Sequence, residues 1–446
     1  MIALLQTSAI FLSGLRSFVF AACLYLMFLA FAPRTLGFSP TGSDFSITFP
    51  RLAFPLLALS LLIYALSKDR ERFLSIGPLL RSPFMIVLIL LGAHRIIGTA
   101  YNGVPLVYAL ESILFSVIVL AVFYLVASPM LFRAVNLVLL AVIAILVVLI
   151  PLELALQQPL HHFVADPALV RLELLETRTL NRGYRIQGGF DNSLKLAEFL
   201  LYCIPFALFR ANGSARQYAG WLMLAAIMGI GLLTASRGFM IFSVITIASF
   251  YVFLSWTSLS RAARSTITVL VIPLFLLVGI GGGVFIEEMI QQASGIRFDQ
   301  VADSRARSLY SRALQFQQVF DTVSQSPVFG SGMLQNVTRT LFNISNIDNY
   351  YLRTLLESGW PGFVLLLLSL GLLLRQFMSY RPDPADQAER AFFALCCSLT
   401  VAFACSKIFL SMPTNNQLFF ALVGLLLGLK AYSQREAAEH ARSVDA

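Results

Sequence analysis

The chain has 446 residues, of which 58% are hydrophobic and only 12% charged, with a mean hydropathy of +0.79. A soluble fold is excluded: soluble domains average about a quarter charged residues, and these apolar residues come in runs of roughly 17 to 25, enough for a helix to cross about 30 Å of hydrocarbon. The net charge of +9 does not point to nucleic acid as a partner, since many basic residues sit in short loops between apolar runs, as orientation signals do.

A transmembrane barrel is excluded too, because it would show segments of about ten residues with alternating polarity, and the run 137–150 does not alternate. The expected fold is all-α, a polytopic transmembrane helical bundle. Hydropathy predicts about twelve spans, near residues 15–33, 48–67, 83–100, 106–127, 134–153, 195–210, 218–235, 238–256, 267–286, 359–378, 391–409 and 415–431. The first apolar run continues to Phe31 without a clear small-residue cleavage site, so that span is expected to stay in the mature protein. With the N-terminus in the cytoplasm, Lys68, Arg70, Arg72 and Arg81 share one internal loop, Arg133 occupies the next, then come Arg210 and Arg216, then Arg261 and Arg264. That arrangement satisfies the positive-inside rule. It leaves the tail at 433–446, charged and rich in small residues, inside and partly disordered.

The chain thus divides into residues 1–286, carrying the first nine spans and a smaller outer loop at 154–194; a large periplasmic loop at 287–358; the last three spans at 359–432; and the cytoplasmic tail. Polar loops carry function more often than the spans they join. Within the large loop, Leu309, Ala313, Phe316, Val319 and Phe320 recur at helical spacing and predict a helix over 306–323. Ser326, Pro327, Gly330 and Gly332 then mark a turn. The five cysteines, Cys23, Cys203, Cys396, Cys397 and Cys405, all lie in apolar runs, so no disulfide framework is expected. The histidines, His94, His161, His162 and His440, have no neighbouring ligand set, and no metal and no cofactor is expected. A nucleophile elbow and a nucleotide-type glycine loop are both missing.

What stands out is basic residues on the outer face, where the positive-inside rule does not call for them. Arg237 and Gly238 lie between the seventh and eighth spans with almost no loop. Arg95 ends the third span, Arg182 and Arg185 precede the sixth, Arg305, Arg307 and Arg312 lie in the large loop, and Lys407 is late in the eleventh. Arginine forks bind phosphate bidentately, so an anionic ligand such as a lipid diphosphate would explain the excess. Pairing with loop carboxylates such as Asp166, Glu173, Asp191 and Asp303 would explain it equally well.

Three stretches resemble the O-antigen ligase and O-antigen polymerase superfamily of bacterial envelope glycan assembly. The first is Gly183, Tyr184, Arg185, Ile186, Gln187, Gly188, Gly189, Phe190, Asp191, Asn192 with Ala197, Glu198 and Phe199; the second is Thr234, Ala235, Ser236, Arg237, Gly238. The third runs from Arg312 through Pro327, Phe329, Gly330 and Gly332 to Asp348, Asn349, Tyr350, Tyr351 and Leu352, and on to Glu357, Gly359, Pro361 and Gly362. The motifs cover roughly residues 180–375.

The resemblance implies a metal-independent, inverting glycosyltransferase with a multi-span fold of the GT-C type in the bacterial inner membrane. Its active site faces the periplasm and its substrate is undecaprenyl-diphosphate-linked glycan. Partners would be the bilayer and, as candidates, chain-length regulator and flippase proteins. The ligases carry a histidine where this sequence has Asp348, which favours the polymerase branch. A sugar hydroxyl attacking the anomeric carbon opposite a departing lipid diphosphate needs a proton acceptor and cations. Asp348, Arg312 and Arg237 are the expected catalytic residues, with Arg185, Arg182, Lys407, Asn349 and Tyr350 binding substrate. Asp348 has a plainer alternative role as cap of the helix that follows. A ligase delivering glycan to lipid A core, and a lipid-linked glycan transporter, are the other functional readings. Against the transporter stand the lack of an internal repeat and the position of charges toward span ends.

Overall fold

In a computed structural model of the protein, the described residues are 9–10, 17–31, 53–60, 63, 76–163, 185–190, 192–213, 217–260, 262–264, 266, 304–333, 347, 349–408 and 413–445; at 30, 161–162, 304–314, 413–414 and 435–445 only the backbone is described. The principal helices are α1 (Phe18–Ala30), α2 (Pro83–Tyr101), α3 (Val107–Leu125), α4 (Pro129–Leu156), α5 (Ser193–Gly213), α6 (Gln217–Leu233), α7 (Arg237–Leu254), α8 (Ser304–Gln325), α9 (Tyr350–Met378), α10 (Gln387–Ser406) and α11 (Pro413–Asp445). The fold is all-helical. Seven helices are long and apolar enough to cross a membrane, namely α2, α3, α4, α7, α9, α10 and the stretch Asn415–Gln434 of α11.

Each predicted span that falls on described residues coincides with a helix. The ninth, 267–286, lies outside them, and the second is described only at 53–60 and 63. The predicted loop helix at 306–323 is α8. α11 continues through 433–445, where the sequence predicts partial disorder. Its Ala, Glu, Gln and Arg residues are good helix formers and extend the span without a break.

α5 and α10 form the centre. α5 packs against α6, α7, α10 and α11, and α10 also packs against α7 and α9. Almost every residue of α10 from Ala391 to Ser406 is buried. Its small Ala394, Cys396, Cys397, Ala402 and Ala404 let neighbouring backbones approach, as helix association in lipid requires. The peripheral helices keep an apolar outer face, with Leu90, Ile97, Leu137, Val148, Leu222, Val244 and Val364 exposed, the surface lipid would cover.

Side-chain contacts fix which helix ends lie together. At one end, the start of α5 meets the end of α10 and the start of α11. There the amide of Tyr350, opening α9, donates to Lys407 O at 2.9 Å, and Glu153, near the end of α4, meets the segment leading into α5. At the other end Phe132 of α4 contacts Phe209 and Phe392, Phe253 of α7 contacts Phe393, and Lys430 donates to Gln376 O. Arg133, Arg210, Arg375, Arg381 and Arg390 therefore fall at the second end, and Arg95, Arg185, Arg237 and Lys407 at the first. Of the residues that the positive-inside pattern assigns to opposite faces, Arg133 and Arg210 are at one end of the bundle and Arg95, Arg185, Arg237 and Lys407 at the other, while Lys68, Arg70, Arg72, Arg216 and Arg261 lie outside the described residues.

Candidate functional site

The first end is built around one carboxylate. Glu198 lies one turn into α5, fully buried, and accepts from Lys407 Nζ at 2.5 Å, Tyr202 OH at 2.7 Å and Ser406 Oγ at 3.4 Å through Oε1, and from Asn415 Nδ2 at 2.9 Å through Oε2. Both charges have 0% side-chain exposure. A buried ion pair is costly unless further hydrogen bonds support it; here two hydroxyls and an amide donate to the Glu198 oxygens. Asn415 also donates to Lys195 O, so the knot ties α5, α10 and α11 together. Lys407 then reaches α9: its carbonyl accepts the Tyr350 amide, and its ammonium stands 5.3 Å from the Tyr350 ring centroid. Tyr351 OH adds a bond to Ala404 O at 2.7 Å. The predicted ligand Lys407 is thus held by Glu198.

The start of α9 is capped by Asn349, whose Oδ1 accepts from the Leu352 amide at 2.9 Å. The capping role is filled by the residue after Asp348. Asp348 itself lies outside the described residues, as does Arg182, and Arg312 sits on α8 with only its backbone described. Of the other predicted residues, Arg185, Asn349 and Tyr350 are half-buried and Arg237 is exposed.

The third motif folds into a clasp between α8, α9 and α2. α9 breaks at Gly359 (φ 63°, ψ −171°), and Pro361, having no N–H, leaves Glu357 O without its helical donor. Other freed groups are taken up across the break. Trp360 N donates to Pro327 O at 2.9 Å, Leu356 O accepts from Ser331 N at 2.8 Å, and Ser358 O accepts from His94 Nε2 at 2.8 Å. A break in a membrane helix is tolerated where neighbours re-satisfy its backbone in this way. The two chains approach so closely that a Cβ on Gly330 would stand 2.2 Å from Leu356 O, and one on Gly359 2.4 Å from Pro327 O. Both glycines also have positive φ. Phe329 packs over Gly98 and stacks on His94, and Met333 N donates to Thr99 Oγ1 at 3.2 Å. The clasp fixes the end of α8, the helix bearing Arg312, against the membrane helices.

The first motif is likewise anchored by a buried acid. Glu153, with 0% exposure, accepts from Gln187 N at 2.6 Å and Gly188 N at 2.7 Å, holding the segment after Arg185 against α4. In the second motif Ala235 takes the left-handed conformation (φ 52°) and Ser236 Oγ caps α7 by accepting from Phe239 N at 3.3 Å. This tight turn puts Arg237 at the first position of α7. Its guanidinium has no partner among the described residues.

Sequence reasoning missed Glu153, Tyr202, Asn415, Ser112 and Thr354. Glu153 left a signal, a carboxylate near the end of an apolar run. The others look like ordinary span residues until the helices meet. Glu198 was visible within the first motif, though its partner Lys407 is 209 positions away.

A search of curated proteins found no match. Residues 221–367, about a third of the chain, match the family model described as O-antigen ligase, running from α6 across the second motif, α8 and the clasp into α9. That match supports the chain's place in the superfamily of O-antigen ligases and polymerases, at a level that includes both branches.

Proposed function

We propose that the protein is an inner-membrane glycosyltransferase that polymerises undecaprenyl-diphosphate-linked repeat units of O-antigen or exopolysaccharide at the periplasmic face, without metal and with inversion. The observation that carries this reading is Asp348, standing directly before the Asn349 cap where the ligases it resembles carry histidine. A hydroxyl of the acceptor sugar attacks the anomeric carbon of the donor. The bond from that carbon to the lipid diphosphate breaks, and the diphosphate leaves with the electron pair. Asp348 takes the hydroxyl proton, and Arg237, Arg312, Arg182 and Arg185 hold the charge that develops on the diphosphate. Arg237 suits that work because it is exposed and unpaired among the described residues, at the end of the bundle shared with Arg185 and Tyr350. The cation-rich opposite end supports placing this end outside.

Asp348→Asn tests the reading in purified protein supplied with lipid-linked repeat units. Loss of a general base lowers the rate by roughly 10² to 10⁴, with unchanged unfolding. Near-normal polymer from that variant would overturn the assignment. A second reading, transfer of glycan to lipid A core, rests on the description of the matched family model as O-antigen ligase. Product that forms only when lipid A core is added would select it. A ladder from repeat units alone would select the polymerase.

A further inference from the structure

Arg95 lies in α2, a helix long and apolar enough to cross a membrane, and only 6% of it is exposed. Its Nη1 donates to Ser112 Oγ of α3 at 2.7 Å and its Nη2 to Thr354 Oγ1 of α9 at 3.3 Å, while Nε is buried with no acceptor. Among the described residues no carboxylate lies within ion-pair distance of it. The charged groups around it are otherwise engaged. Arg353 pairs with Glu357 at 2.7 Å, Glu111 interacts with Arg353, and His94 meets Ser358 O. Hydroxyls orient a guanidinium but do not neutralise it, and an uncompensated cation in a buried, membrane-spanning helix is costly. Arginine has five N–H donors; two are spent here, leaving Nε–H and one N–H on each terminal nitrogen, the fork that fits a phosphate. Ser112 is followed within one residue by a π-helical turn, Leu114–Ile118, a distortion frequent at functional sites. Thr354 lies one turn beyond Tyr350, so Arg95 stands beneath the start of α9.

We propose that Arg95 is a substrate-binding residue, one that takes a phosphate oxygen of an isoprenoid diphosphate between α2, α3 and α9. This rests on the glycosyltransferase reading and adds a membrane-embedded contact to the loop and turn arginines. The fork is pre-oriented by Ser112 and Thr354, so the anion meets donors already in place and gives the guanidinium a direct ionic partner that no described carboxylate supplies.

The test is binding of farnesyl diphosphate to the purified full chain in micelles, with phosphatidylglycerol as competitor. Arg95→Gln is expected to weaken binding by roughly tenfold or more, the worth of a charge-assisted hydrogen bond. The thermal midpoint of the ligand-free protein should stay level or rise, because a bare buried charge has been removed. Arg95→Lys, which keeps the charge without the fork, should bind several-fold more weakly than wild type. Wild-type affinity in either variant would overturn the proposal. So would a lowered midpoint with unchanged affinity, the mark of a helix tie, or displacement by phosphatidylglycerol as effective as by farnesyl diphosphate, the mark of a headgroup site. Absence of polymer from lipid-linked repeat units, with diphosphate binding intact, would sink the polymerase reading and leave this one standing.

Discussion

Two buried cations near the same end of the bundle are treated in opposite ways. Lys407 has a carboxylate at 2.5 Å, and that carboxylate has three further donors. Arg95 has two hydroxyls and an unmet N–H. Lys407 and Glu198 compensate one another within the fold, and their knot holds three helices and the start of α9 together. Arg95 is oriented by hydroxyls and has no carboxylate partner among the described residues. The contrast is between a cation held by a carboxylate and one held by hydroxyls alone among the described residues.

The comparison can be broken most directly at the knot. Removing one partner leaves the other buried and bare, at a cost of about 3–5 kcal/mol, so Glu198→Gln and Lys407→Met should each lower stability by that much in reversible unfolding in micelles. The double variant Glu198→Gln/Lys407→Met should recover most of the loss, since two neutral groups need no compensation. A double variant as unstable as the sum of the singles would show that the pair is not the unit that matters. The clasp comes next. Gly359→Ala adds backbone strain of about 1–3 kcal/mol and drives a methyl into Pro327 O. Limited proteolysis should then cut the segment after α8 much faster, with the knot intact. Unchanged protection there would mean that the clasp does not hold α8.

Arg95→Gln sharpens the contrast, because it should leave stability level or raised, whereas Lys407→Met lowers it. The smallest effect on folding belongs to Arg237→Ala. The side chain is exposed and unpaired among the described residues, so the unfolding curve should not move. Repeat-unit polymerisation should fall sharply, and Arg237→Lys should restore only part, because an ammonium cannot reproduce a bidentate fork. Full activity of Arg237→Ala at normal protein levels would return this arginine to an interfacial anchor.

By itself the sequence determined what depends on local composition and short spacing. Runs of apolar residues dictate spans because lipid leaves the backbone no other partner than itself. Helical spacing over 306–323 predicted α8, and Ser326, Pro327, Gly330 and Gly332 were legible as a turn, whereas the break at Gly359 was not. The motifs at 183–199, 234–238 and 312–362 pointed to one superfamily, and the matched region 221–367 overlaps the last two. Composition could not decide the fate of individual charges. Glu198 and Lys407 are 209 residues apart, Arg95 and Thr354 259 apart, and Glu153 and Gln187 sit on opposite sides of a loop. Whether a basic residue within a span is neutralised, oriented or left bare depends on which helices become neighbours. That is set by packing over the whole bundle, so only the tertiary structure separated Lys407, paired with Glu198, from Arg95, which has hydroxyls but no carboxylate partner among the described residues.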